Sequence, residues 1–189
     1  MYHKRPASRN IGIEIDFRVI EKWTNEERID FELVHGDAID YLKKYTFTGK
    51  ELIYCDPPYL RATRRSYKKI YKYDYTPDQH RKLIDLLKAL PCKVMISGYY
   101  SSLYMESLKK WHIQTFDAII RKRVSREYIW MNYAPPVQLH DYSYLGSNFR
   151  ERDRIKQKTK RWVTRLQSMP VLEQQALLSA LQTVDWKGY

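Results

Sequence analysis

Apolar side chains recur in short blocks along the chain, and their spacing alternates between that of strands and that of helices. Residues 11–15 form a short apolar run, and residues 29–35 alternate apolar with polar side chains, so both are predicted to be strands. Between them, residues 17–27 carry apolar side chains at helical spacing. The chain is therefore predicted to begin with a strand, a helix and a second strand.

The next blocks repeat this order and mark helix boundaries. Asp37 is a suitable N-cap for a short helix, and residues 51–55 form a strand that runs into two prolines. Residues 76–79, Thr-Pro-Asp-Gln, have the composition of a capping box with proline in the first helical position. A leucine stripe follows, and Pro91 is predicted to end this helix.

The remaining blocks complete an α/β pattern. They predict a strand, a helix, a hairpin and two final helices, at residues 93–98, 101–111, 112–120 with 126–133, 149–168 and 170–184. Strands that alternate with helices favour a mostly parallel sheet with right-handed crossovers, here closed by an antiparallel hairpin. We predict a core at residues 1–135 and a C-terminal helical extension at 136–189.

Composition narrows the class of protein. The 189 residues are 43% hydrophobic and 30% charged, which indicates a folded globular chain. No apolar run approaches the roughly 18 residues needed to span a bilayer, and the first residues lack the apolar core of a signal peptide, so a cytoplasmic location is predicted. Cys55 and Cys92 have no Cys or His at metal-ligand spacing, which predicts buried thiols with neither a disulfide nor a bound metal.

Positive charge dominates the polar residues. The formal net charge is +12, which favours a polyanionic partner. One basic segment follows the two prolines, and it contains Arg61, Arg64, Arg65, Lys68, Lys69 and Lys72. Tyr67 and Tyr71 lie within it, so the segment is predicted to hold phosphates while the tyrosines stack on bases. A solvated charged loop is the alternative.

A second basic segment lies near the C-terminus. Residues 150–165 contain eight basic side chains, opposed by Glu151 and Asp153 alone. Contact with DNA and a solvated helix face are equally favoured there.

The segment Asp56-Pro57-Pro58-Tyr59 has the features of a catalytic loop. Ligand sites in α/β folds lie at the carboxyl ends of strands, where this segment falls. The exocyclic amino group of a base is a poor nucleophile because its lone pair is delocalised into the ring. Asp56 and the Pro57 carbonyl can accept its two N–H bonds, and Tyr59 can stack on the extruded base. The prolines fix these groups in advance of the reaction.

These features resemble the Dam-like DNA adenine N6-methyltransferases, whose catalytic motif is DPPY. The resemblance runs from about Ile11 to Tyr133, includes the turn Ser97-Gly98-Tyr99, and is closest in kind to the small phage-type members. It implies a Rossmann-like class I methyltransferase sheet, S-adenosylmethionine as cofactor, and double-stranded DNA as substrate. It also implies that the target adenine is flipped into the DPPY pocket, in a phage or restriction–modification setting.

The resemblance implies cofactor residues as well. Glu14 matches the acid that holds the ribose hydroxyls of S-adenosylmethionine, with Asp16 as a nearby second candidate. Asp37 matches the acid that accepts the amino group of the cofactor's adenine. Glu14 as a strand-end acid and Asp37 as a helix cap remain the structural alternatives.

One family feature is missing. Related enzymes begin with a strand and a glycine-rich turn of the F-x-G-x-G type, and no glycines of this chain are paired in that pattern. That strand normally lies between the strand of Glu14 and the strand that leads to Asp56, so its absence is predicted to leave two unpaired strand edges. A fragment, a second polypeptide that supplies the strand, and a differently closed sheet are the explanations left open.

Two alternative functions also stay open. One is methylation of an RNA base amine, since a DPPY loop fits any planar amino group. The other is a catalytically inactive remnant that binds nucleic acid. A serine in place of Asp56 would have favoured cytosine N4, so Asp56 favours adenine.

Overall fold

The computed structural model describes residues 7–25, 31–64, 72–120, 123–139 and 141–185, with the backbone alone for residues 119, 120 and 123. The chain divides into two compact units, Met1–Pro135 and Pro136–Tyr189. Within the described residues, no helix is long and apolar enough to cross a membrane.

The first elements form a small parallel sheet. Strand β1 (Ile11–Glu14) pairs in parallel with β2 (Glu32–His35), and helix α1 (Phe17–Thr24) lies between them in sequence. The helix begins where the Asp16 carboxylate accepts the backbone N–H of Arg18, at 3.1 Å. This capping satisfies one of the N–H groups that the first turn of a helix leaves without a partner.

A second sheet contains β3 (Leu52–Cys55), β4 (Lys93–Gly98), β5 (His112–Ile120) and β6 (Arg123–Met131) in the order β3-β4-β6-β5. Strands β3 and β4 are parallel, whereas β6 runs antiparallel to both β4 and β5. The predicted parallel crossover and final hairpin are confirmed.

Three helices and a short 3-10 turn at Arg61–Thr63 connect these strands. The helices are α2 (Ala38–Lys44), α3 (Pro77–Ala89) and α4 (Ser102–Ser107). The capping box predicted at the start of α3 is present: the Thr76 hydroxyl accepts the Gln79 N–H at 3.2 Å, and Gln79 Oε1 accepts the Thr76 N–H at 2.8 Å. Local sequence therefore fixes the start of the helix on which the core is built.

The two sheets remain separate. In the described part of the chain, β1 pairs only with β2 and β3 pairs only with β4, so each has an edge without a strand partner. On β3, Leu52 and Tyr54 are 58% and 53% exposed, which is high for strand residues in an α/β fold. The described strands therefore form two sheets rather than one continuous sheet.

Some element boundaries differ from the prediction. Helix α4 ends at Ser107 rather than at residue 111, since the chain turns there and the Trp111 N–H bonds to the Leu108 carbonyl at 2.8 Å. Strand β6 begins at Arg123 rather than at residue 126, because it pairs along the whole length of β5. Helix α1 ends at Thr24, and residues 26–30 lie outside the described residues.

The core of the first unit lies where α3 packs on the second sheet. It contains Leu83, Ile84 and Leu87 of α3 with Val94, Ile96 and Trp130 of the sheet, all almost fully buried. His80 is buried among them, and its Nδ1 lies 2.9 Å from the Tyr104 hydroxyl. This core supports the carboxyl ends of β3 and β4 from one side.

The second unit consists of two helices, α5 (Phe149–Gln167) and α6 (Val171–Thr183). Asn148 caps α5 by accepting the Glu151 N–H at 3.0 Å. Neither helix has a fully buried residue. The helical extension predicted for the C-terminal part is present.

The burial of His80 predicts a specific pH dependence of stability. Burial lowers the pKa of His80 to about 4, and the Arg64 guanidinium acts in the same direction while Asp74 opposes it. The unfolded chain binds this proton below about pH 6.5, so the free energy of unfolding falls as the pH drops from there toward the folded pKa. The loss attributable to His80 is up to about 3 kcal/mol, and above that window His80 contributes none.

We expect His80→Gln to flatten the acid side of the stability curve by about this amount in urea unfolding between pH 7 and pH 4. Contributions of the carboxyl groups are common to both proteins and cancel in the comparison. An equally steep profile in the variant would contradict the assignment.

Candidate active site

The loop Asp56–Tyr59 leaves the sheet at the carboxyl end of β3, next to the carboxyl end of β4. Since β3 and β4 are parallel with Cys55 opposite Ile96, the next residues along, Asp56 and Ser97, come side by side. Ser97 Oγ lies 2.8 Å from Asp56 Oδ1, with which it hydrogen bonds, and 3.4 Å from the Cys55 carbonyl oxygen. Ser97 is buried, whereas Asp56 is exposed.

This arrangement leaves one side of the Asp56 carboxylate free. Among the described residues, Ser97 is the only one that hydrogen bonds to it, through Oδ1. Pro57 is buried and Pro58 half-buried, so the loop is anchored directly after the aspartate. The carboxylate is thus held at Oδ1 in an exposed residue, and Oδ2 has no hydrogen bond to any described residue.

Tyr59 is held at both its ring and its hydroxyl. The ring makes an edge-to-face contact with Tyr99, with 4.6 Å between centroids, and the hydroxyl donates to Glu127 Oε2 at 3.0 Å. Burial raises the pKa of Tyr59 well above its usual range, and the Asp56 and Glu127 carboxylates raise it further. The hydroxyl therefore stays protonated and remains the donor to Glu127.

Glu127 is a site residue that sequence reasoning missed. It reaches Tyr59 because β6 pairs with β4, which places Tyr128 opposite Gly98 at the carboxyl end of β4. In sequence it is one charged residue in an alternating strand, 68 positions from Tyr59. The sequence predicted the hairpin that contains Glu127, but the register of that hairpin against β4 cannot be derived from the sequence alone.

Cys55 does not act as a nucleophile in this arrangement. Burial raises the pKa of its thiol to about 12, and Asp56 adds to the shift. A neutral thiol is a poor nucleophile. In the described part of the chain, no group of three or more His, Cys, Asp or Glu side chains is placed to hold a metal ion.

The three predicted cofactor acids each make local contacts. Glu14 Oε1 accepts the backbone N–H of Asp16 at 2.8 Å. Asp16 caps α1 and bonds to the Arg18 guanidinium at 2.7 Å, which lowers the pKa of Asp16 to about 2. Asp16 thus has both oxygens engaged by Arg18, and Glu14 is the better placed of the two to bind a ligand.

Asp37 has the capping role that the sequence left as one alternative. Its Oδ1 accepts the N–H groups of Ile39 and Asp40 at 2.8 and 3.2 Å, and the Tyr75 hydroxyl lies 3.5 Å from its Oδ2. Burial, with the Asp37 charge, raises the pKa of Tyr75 to about 12. Capping uses one carboxylate oxygen and leaves the second in a long contact with Tyr75.

The predicted DNA-binding residues are placed differently from one another. Arg61 and Lys72 are exposed, and the Lys72 ammonium lies 5.1 Å from the centre of the Tyr73 ring. Five residues predicted to contact DNA fall outside the described ranges, namely Arg65, Tyr67, Lys68, Lys69 and Tyr71.

Arg64 is not at the surface. It forms an ion pair with Asp74 at 2.8 Å, and only 7% and 11% of the two side chains are exposed. A buried, paired guanidinium does not fit the phosphate contact that the sequence predicted for Arg64. The pair instead joins residue 64 to residue 74, close enough to His80 for both charges to affect the pKa of its imidazole.

The fold and the loop together are compatible with a group-transfer enzyme. A mixed α/β sheet in which an exposed, hydrogen-bonded carboxylate follows the end of β3 suits transfer of a group to an amine. The family model for D12 class N6 adenine-specific DNA methyltransferase matches residues 23–129, more than half of the chain. The chain belongs to this family.

Membership confirms several predictions. The protein is a DNA adenine methyltransferase, and methyltransferases of this type use S-adenosylmethionine. DNA is thereby favoured over the RNA base amine that the sequence left open. The matched region contains Asp37, the DPPY loop, Ser97 and Glu127, and it begins after Glu14. A search of curated proteins found no match to the chain.

The Arg64–Asp74 pair yields a prediction on stability. Removing one partner of a buried pair leaves an uncompensated charge, so we expect Asp74→Ala to lower the free energy of unfolding by about 3 kcal/mol. Asp78 pairs with Arg81 at 2.7 Å but is 82% exposed, and Asp78→Ala is expected to cost about 1 kcal/mol or less. Urea unfolding of both variants checks this, and equal losses would contradict the structural role of the buried pair.

Proposed function

We propose that this protein transfers a methyl group to N6 of an adenine flipped out of double-stranded DNA, at the DPPY loop. The observation that carries the proposal is the exposed Asp56 residue, whose carboxylate Ser97 holds at Oδ1 while Oδ2 has no hydrogen bond to a described residue. An acceptor fixed in this way needs no reorganisation when it meets an amino group.

Asp56 Oδ2 accepts one N–H of the adenine amino group, and the Pro57 carbonyl accepts the other. These two bonds draw the nitrogen lone pair out of conjugation with the ring, so that it becomes nucleophilic. Because the proline ring fixes φ, the carbonyl is positioned before the base arrives. As the bond to N6 forms, the bond between the methyl group and the sulfonium sulfur of S-adenosylmethionine would break, leaving S-adenosylhomocysteine. The positive charge would pass to N6, where the Asp56 carboxylate stabilises it until an N6 proton is lost.

Tyr59 holds the extruded base by stacking. Its ring orientation is supported by the edge contact with Tyr99 and the hydrogen bond to Glu127. An aromatic ring that is fixed in advance loses little conformational entropy when a base stacks on it. Glu127 is therefore a positioning residue for Tyr59.

Glu14 and Asp37 fit the binding of S-adenosylmethionine, which supplies an electrophilic methyl group. Glu14 lies at the carboxyl end of β1 and has one carboxylate oxygen without a hydrogen bond to the described residues, which suits a ribose hydroxyl. Asp37 offers Oδ2 to an amino group. Asp16 has a supporting role, since Arg18 engages its carboxylate.

Among the described residues β1 and β3 each have one edge without a strand partner, and this supports a further element of the proposal. A strand between them, from a further segment of the same polypeptide or from a second polypeptide, satisfies both rows of backbone N–H and C=O groups. It also joins the sheet of Glu14 to the sheet of Asp56. We propose that full activity requires this strand.

DNA contacts are assigned to the exposed basic residues near the loop. Arg61 and Lys72 are exposed, and Arg65, Lys68 and Lys69 remain candidates from the sequence. Arg64 is not assigned to DNA because it is buried against Asp74. We place the reaction in the cytoplasm, where DNA and S-adenosylmethionine are both present.

Asp56→Ala tests the proposed chemistry. We expect methyl transfer to fall by at least about 100-fold, because one preorganised hydrogen-bonding group at the reacting atom is lost. The fold should persist, since the Asp56 side chain is exposed. The measurement is N6-methyladenine in digested DNA by mass spectrometry after incubation with S-adenosylmethionine, with Asp78→Ala as the matched control.

The outcomes separate the alternatives. An active Asp56→Ala protein would contradict the mechanism. An inactive wild-type chain that still binds DNA would favour the requirement for an added strand or an inactive remnant. Restored activity on addition of a polypeptide that carries a glycine-rich strand would then decide between these two.

Ser97→Ala tests the positioning of Asp56. We expect kcat to fall about tenfold with little change in KM, because the lost hydrogen bond orients an acceptor that acts mainly in the transition state. Ser97→Thr keeps the hydroxyl and should retain more activity than Ser97→Ala. Equal activity of the alanine variant and the wild type would remove the positioning role.

A further inference from the structure

Helix α5 carries an uninterrupted basic surface in the second unit. From Arg154 to Gln167 it contains no acidic residue and has basic side chains at Arg154, Lys156, Lys158, Lys160, Arg161 and Arg165. All six are exposed. Like charges three and four residues apart on a helix repel one another, so the fold of this unit gains nothing from their arrangement.

The neighbouring acids do not neutralise this surface. Glu151 accepts the Ser147 backbone N–H at 2.8 Å and lies 3.8 Å from Arg154, while Asp153 bonds to Gln157. Both acids belong to the first turns of the helix. Among the described residues, Lys158, Arg161 and Arg165 form no ion pair, so their charges are available to a partner.

An exposed tryptophan lies within the same face. Lys158, Arg161, Trp162 and Arg165 are spaced three and four residues apart, which places them together on one side of α5, where they line a shallow cleft. Trp162 is 60% exposed, and the Arg165 guanidinium lies 5.8 Å from the centre of its ring. Cations combined with an exposed ring suit a ligand that presents phosphates beside sugars and bases.

We infer that this face of α5 is a second DNA-binding surface, separate from the loop at residues 56–72, and that it holds backbone phosphates of the duplex. From Lys158 to Arg165 the helix rises about 10 Å, which matches the spacing of about three phosphates along one strand. Its contacts are independent of base sequence. These contacts increase the affinity for DNA and the length of duplex that the enzyme covers, without taking part in methyl transfer.

An acidic lipid surface is the competing partner for a basic helix with a tryptophan. A helix that lies on a membrane needs a continuous apolar face for insertion. In the C-terminal half of α5 the strongly exposed apolar side chains are Trp162 and Val163, while Leu166 is half-buried within the unit. Charge thus dominates the exposed surface of this half of α5, and DNA is already the substrate of this family.

The test compares two full-length triple variants of equal charge. One is Lys158→Gln, Arg161→Gln, Arg165→Gln. The control is Lys82→Gln, Lys88→Gln, Lys109→Gln, which removes three exposed charges from the first unit. The dissociation constant for a labelled duplex is measured by fluorescence anisotropy over a series of salt concentrations.

We expect the α5 variant to reduce the slope of log Kd against log salt by about 2 to 3, since each phosphate contact contributes about 0.9. The control variant should change the slope by less than half as much. Equal slopes in the two variants would overturn the proposal, because net charge alone would then explain the effect. Circular dichroism melting checks that both variants remain folded.

Trp162 gives a second readout that a solvated helix face would not produce. We expect duplex DNA to change the tryptophan emission of the wild type, and Trp162→Phe to remove most of this change. A change caused by phosphatidylserine vesicles, with none caused by DNA, would assign the surface to lipid and overturn the proposal. Neither readout depends on methyl transfer, so an inactive chain leaves the test intact.

Discussion

The proposed active site depends on the parallel pairing of β3 with β4. That pairing fixes the register in which Asp56 and Ser97 emerge together, so a buried hydroxyl hydrogen bonds to the carboxylate of an exposed residue. The antiparallel pairing of β6 on β4 then brings Glu127 to the Tyr59 hydroxyl. The backbone hydrogen bonds of the sheet thus set the positions of Ser97 and Glu127. The buried residues of α3 pack in the hydrophobic core with those of the sheet.

The division of the sheet is the second feature that shapes function. The acid proposed to bind the cofactor ribose lies on β1, whereas the acceptors proposed for the base lie after β3, and the two strands belong to different sheets among the described residues. An edge strand exposes unpaired N–H and C=O groups, which is a cost in free energy until a partner strand covers them. One added strand would remove two such edges and unite the halves of the site. Pairing of the proposed strand with β1 and β3 would therefore both stabilise the fold and complete the proposed site.

Much of the molecule could be predicted because its signals are local. The Thr76 capping box, the strand before Asp56 and the hairpin each depend on a few neighbouring residues, and each is present. The roles of Arg64 and Glu127 could not be predicted correctly, since they depend on contacts across the fold. The sequence placed Arg64 with the other cations of its segment, whereas in the fold it is buried in an ion pair with Asp74. Glu127 required the register of β6 against β4, which strand composition does not encode.

The most direct test of the central claim is a structure of the protein bound to duplex DNA and S-adenosylhomocysteine. We expect an extruded adenine whose N6 lies within about 3.2 Å of Asp56 Oδ2 and of the Pro57 carbonyl oxygen, with its ring stacked on Tyr59. Ser97 should still donate to Asp56 Oδ1. An adenine that remains stacked in the duplex, or an N6 atom beyond hydrogen-bonding distance of Asp56, would contradict the account.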